Sequence, residues 1–73
     1  MSQIHSELTK LIEVKTGVVP QLDDTLDVMM IDSLAMAELT VEIEKMFNIR
    51  IDDDVLDVQN FQGLVSYIEG KTT

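Results

Sequence analysis

Apolar positions along the chain fall into three helical stripes separated by polar connections. From Gln3 to Thr16, the residues Ile4, Leu8, Leu11 and Ile12 recur at spacings of three and four, the period of a helix with one buried face. Ser2 can cap its start, and Gly17 can close it in a left-handed conformation. A second helix is predicted from Asp32 or Ser33 to about Phe47, with Asp32 as N-cap and Asn48 as terminator. Its buried stripe is Met36, Leu39, Ile43 and either Met46 or Phe47, while Glu38 and Glu42 share another face one turn apart. Asn60 caps a last helix that carries Phe61, Leu64, Val65 and Ile68 and ends near Gly70. Before it, Asp52, Asp53 and Asp54 put negative charge at the start of a short helical turn through Leu56.

The stretch between the first two helices has Pro20, Asp23, Asp24 and Asp27 and no clear period, so it reads as a long connection. Leu22, Leu26, Val28, Met29 and Ile31 lie in it, and apolar residues at that density predict a loop packed down on the core. No segment alternates convincingly as a strand. The expected fold is all-α: a small bundle of three main helices plus one short helix, forming a single domain over residues 1–73.

Charge narrows the partners. The chain of 73 residues holds 14 acidic against 5 basic side chains, a net charge of −9. Residues 1–31 carry five acids and two bases, a net of −3, and residues 32–73 carry nine acids and three bases, a net of −6. This surface disfavours nucleic acid, whose phosphates need lysine and arginine partners. It favours basic protein partners and divalent cations, chiefly through the second half. An apolar content of 45% separates the chain from acidic disordered tails. Without cysteine there is no disulfide, protein thiol nucleophile or cysteine metal site. No apolar run is long enough to span a membrane and no signal-peptide pattern opens the chain, so a cytoplasmic monomer is expected.

The informative stretch is Ile31-Asp32-Ser33-Leu34. Alone, it is an ordinary helix cap or a phosphorylation site. In context, a serine in the first turn of a helix lies beside unpaired backbone N–H groups and the positive end of the dipole, where an attached phosphodiester is stabilised. A long loop precedes it and an acidic amphipathic helix follows. Other chemistry finds no support. Ser33 lacks the glycine-flanked elbow of a hydrolase, and the only histidine, His5, lies far off on the first helix, where it reads as a surface residue. Counted from Asp52, a calcium loop would need glycine and glutamate where Asp57 and Gly63 stand, so no metal site is expected.

Asp32-Ser33-Leu34, then Glu38-Leu39, then Glu44 and Phe47, resemble the modification helix of acyl carrier proteins. Ser2, Ile4, Leu11, Ile12 and Gly17-Val18 resemble that family's first helix, and Ile51, Asp53 and Tyr67-Ile68 resemble its third and fourth, so the likeness spans essentially the whole chain. The resemblance implies a non-enzymatic carrier. A phosphopantetheinyl transferase would attach 4′-phosphopantetheine from coenzyme A to Ser33, with Asp32 helping to bind the transferase's metal, and acyl groups would ride on the arm as thioesters. It implies that Leu34, Ala37, Glu38, Val41 and Glu44 form the surface read by acyl-transfer and synthase enzymes with basic docking patches. It also implies an expandable acyl cavity lined by Leu39, Ile43, Leu56, Phe61 and Val65.

The chain departs from the family pattern in specific places. Met29, Met30 and Ile31 occupy the stretch where the family usually has a glycine about three residues before the serine. The connection from Gly17 to Ser33 is short, and Ala35 and Lys45 stand where acidic residues are common. These departures point to a specialised carrier, for polyketide, lipid-modification or other secondary pathways, rather than a housekeeping fatty-acid carrier. The alternatives are a peptidyl or aminoacyl carrier and an unmodified acidic helical adaptor. Aspartate rather than glycine before the serine, with the high acidity, favours the acyl carrier.

Overall fold

A computed structural model describes residues 3–72, so the expected cap at Ser2 lies outside the described residues. Three helices follow the three stripes: α1 (Gln3–Thr16), α2 (Ser33–Phe47) and α3 (Phe61–Thr72), with a 3₁₀ turn at Asp53–Asp57 between the last two. Helix α1 packs against both α2 and α3. No strand forms among the described residues; a single antiparallel bridge joins Thr25 to Asn60. Gly17, at φ +78°, accepts the left-handed turn that ends α1.

The core gathers Leu8 and Ile12 from α1, Met36, Leu39 and Ile43 from α2, and Phe61, Leu64, Val65 and Ile68 from α3, with Met29, Ile31 and Val55 from the connections. At the end of α2, Phe47 rather than Met46 completes the stripe, half-buried where Met46 is exposed. His5 is half-buried too, with its ring 5.5 Å from that of Phe61, and so is not the surface residue its isolation in the sequence suggested. Helix α3 runs two residues past Gly70.

The long loop is ordered by what it caps. The carbonyls of Asp24 and Leu22 accept from the N–H groups of Phe61 and Gln62, at 2.9 Å each, which supplies acceptors for the first turn of α3. Asn60 Oδ1 accepts from the N–H of Gly63 at 2.8 Å in the expected N-cap role. Only part of the loop's apolar content goes inward. Met29 and Ile31 are buried and Leu26 is half-buried, whereas Leu22 and Val28 stay exposed, against expectation. The loop ends in a helix-closing turn in which Ile31 N–H donates to Leu26 C=O and Met30 N–H to Asp27 C=O. That pair of bonds requires a left-handed residue in the glycine position, and Met30 fills it at φ +60°.

Candidate functional site

Asp32 caps α2 as expected: its Oδ1 accepts from the N–H of Ala35 at 2.8 Å, and its backbone carbonyl accepts the first helical bond from Met36. Ser33 is therefore the first helical residue. Its side chain is exposed, and its hydroxyl makes no hydrogen bond to another described residue. The N–H groups of Ser33 and Leu34 have no intrahelical acceptor, as at every helix start.

A helix repeats its faces every three to four residues, and α2 divides accordingly. Met36, Leu39 and Ile43 face the core. Ser33, Ala37, Thr40 and Glu44 lie along a groove of ≈ 220 Å³, whose opposite wall includes Ile51 and Leu56. Leu34, Glu38 and Val41, exposed beside them, do not line that groove. At spacings of three and four, Leu34, Ala37, Glu38, Val41 and Glu44 follow one stripe of α2, which the groove borders at Ala37 and Glu44.

Two of those five are also engaged within the chain. Glu44 is half-buried, and its Oε2 accepts from the N–H of Ile51 at 2.7 Å, so it ties α2 to the segment ahead of the 3₁₀ turn. Lys15 of α1 reaches across to α2, with its Nζ 2.8 Å from Glu42 and 4.0 Å from Glu38. Its bond to the Glu42 carboxylate is the main reason the Lys15 pKa lies above its ordinary value. These pairs are too exposed to add much stability, but they offset part of the negative charge that α2 would show a partner.

The five residues expected around an acyl cavity differ in burial. Leu39, Ile43, Phe61 and Val65 are buried as a packed core, but Leu56 is 67% exposed and forms part of the groove's wall. Val55 takes the buried place, 3% exposed. In a 3₁₀ turn consecutive residues are rotated by about 120°, so Val55 and Leu56 cannot both face inward, and Val58, three residues on, shares the inner side. Met36 and Val55 line the groove from the core side.

A polar cluster that sequence reasoning missed fixes the 3₁₀ turn from the other side. Tyr67 of α3 donates its hydroxyl to Asp54 Oδ1 at 2.6 Å and accepts from the Asp52 N–H at 3.2 Å, and Lys71 pairs with Asp52 at 3.1 Å. Burial, then the bond to Asp54, raises the Tyr67 pKa, and the bond to Asp52 raises that of Lys71. Thr40 was legible in principle, since it lies seven residues after Ser33 on the same helical face. Tyr67 was not, because its contacts lie 13 and 15 residues away along the chain.

Residues 3–68 match the family model of the phosphopantetheine attachment site. The chain belongs to that family. Among curated proteins, none matches the chain. Domains of this family are the attachment site for covalent 4′-phosphopantetheine and generally act as non-catalytic carriers served by a phosphopantetheinyl transferase and acyl-handling enzymes. The local structure fits the group. An exposed serine hydroxyl stands at a helix start that favours an anion, and a groove opens beside it. When bound, the arm supplies a terminal thiol that this cysteine-free chain lacks. Among the described residues, no helix is long and apolar enough to cross a membrane.

Proposed function

We propose that Ser33 is the attachment residue and that the protein is a monomeric cytoplasmic carrier, without catalytic activity of its own, that holds acyl groups as thioesters in fatty-acid, polyketide or specialised lipid biosynthesis. The observation that carries this reading is the exposed Ser33 hydroxyl, in the first turn of α2 and at the edge of the groove. Asp32 uses one carboxylate oxygen to cap the helix, which leaves the other able to help hold the transferase's metal ion. Leu34, Glu38 and Val41 offer a mixed apolar and acidic outer face to enzymes with basic patches, while Ala37 and Glu44 border the groove. The acyl chain enters the groove over Met36 and Val55, with Leu39, Ile43, Phe61 and Val65 as the core that would yield to longer chains. Aspartate before the serine and the strong negative charge favour an acyl over a peptidyl cargo.

The test is intact mass after incubation with coenzyme A, magnesium and a promiscuous phosphopantetheinyl transferase. Wild type should gain one phosphopantetheine, and Ser33→Ala should gain none. A wild-type protein that gains no mass with several transferases would be an unmodified adaptor instead.

A further inference from the structure

Beyond Leu34, already placed on the outer face of α2, two further exposed apolar side chains near Ser33 pack against nothing in the core. Met30 is 69% exposed and Leu56 is 67% exposed. Met30 lies three residues before Ser33, and together with Asp27 and Asp32 it lines a shallow depression at the start of α2. Leu56 shares the groove with Ser33 and stands between Asp53 and Asp57 on the 3₁₀ turn.

Each is placed at a cost, or held there by dedicated contacts. Met30 adopts φ +60°, where a glycine would sit without strain, yet its side chain gains no burial in return. Strain retained without a packing gain is a mark of function. Methionine also suits a contact surface, because its flexible thioether adapts to different partners. Leu56 is pushed outward by the inward turn of Val55, and the turn that carries it is held by Glu44 on one side and by Tyr67 and Lys71 on the other. By contrast, the acids Glu38 and Glu42 on α2 are partly offset by Lys15.

We propose that Met30 and Leu56 are the apolar anchors by which the phosphopantetheinyl transferase seats this carrier. The proposal rests on the carrier reading above. Any enzyme that delivers a group to the Ser33 hydroxyl must cover the start of α2, which brings it over both side chains. Asp27, Asp32, Asp53 and Asp57 surround them with negative charge, so the complementary surface is an apolar depression rimmed by lysine and arginine. The charges would govern encounter, and the two apolar contacts residence.

The experiment measures the KM for the carrier in transfer from coenzyme A by a promiscuous transferase with magnesium. It compares wild type, Met30→Gly, Leu56→Ser and the double variant. Val14→Ala serves as control, since Val14 is 78% exposed on α1 and does not line the Ser33 groove. Met30→Gly keeps the left-handed turn, and Leu56 is already in water, so all should fold, with helix content and melting temperature as the check. The expected result is a KM raised roughly fivefold by each single change and further by both, with kcat nearly kept and the control unchanged. Folded variants that load with wild-type KM would overturn this proposal and leave the carrier reading intact. A wild type that never loads would overturn both.

Discussion

At the scale of single residues, Met30 concentrates the difference between this chain and its family pattern. The sequence showed that a glycine was missing ahead of the serine, but only the backbone shows that position 30 still takes the glycine conformation. A left-handed non-glycine residue costs about 1–2 kcal/mol, and glycine's extra freedom when unfolded returns roughly 0.5–1 kcal/mol of that. Met30→Gly should therefore stabilise the fold by about 0.5–1 kcal/mol in urea denaturation, with an unchanged m-value. A Met30→Gly protein less stable than wild type would mean that the methionine side chain packs in solution after all. Ser33 and Asp32 were legible because capping chemistry is local: an aspartate followed by an uninterrupted helical stripe suffices to place both. The exposure of Leu56 was not legible, for an equally local reason. Its neighbour Val55 is also apolar, and nothing in the sequence states which of two adjacent apolar residues a short turn will bury.

At the scale of elements, the stripes of α1, α2 and α3 predicted their helices because each buries one face, and burial of that face decides the structure more than intrinsic propensity does. What escaped was how the 3₁₀ turn and the long loop attach to the helices. Those attachments are polar and distant in sequence: Ile51 N–H to Glu44, Tyr67 to Asp52 and Asp54, and the loop carbonyls on the start of α3. No periodicity encodes them. Glu44 is the instructive case, since the family resemblance assigned it to partner recognition while its carboxylate holds the groove's far wall. A half-buried hydrogen bond to a charged acceptor is worth about 1.5–3 kcal/mol. Glu44→Ala should lower stability by about 1–2 kcal/mol and speed amide exchange at Ile51, whereas Glu44→Gln, which keeps an acceptor oxygen, should lose less than half as much. Equal losses in the two variants would show that charge toward a partner or solvent, rather than this bond, accounts for Glu44.

At the scale of the whole molecule, a net charge of −9 on 73 residues sets the balance between folding and recognition. The negative charge that would steer the carrier to basic enzymes also repels itself in the folded state, most densely from Asp52 to Asp57, a segment in which only Asp52 is ion-paired, to Lys71. Salt or magnesium should relieve that repulsion. A gain of about 1 kcal/mol would raise the melting temperature by ~4–8 °C between low and moderate ionic strength. A flat response would show that the acids are well enough hydrated not to strain the fold. The central claim, however, concerns one oxygen atom. It is tested most directly by digesting the carrier purified from its own source and locating the modification by fragment-ion mass spectrometry. The account predicts phosphopantetheine on Ser33. An arm on Ser6 or Ser66, or a fully occupied preparation with Ser33 bare, would contradict it.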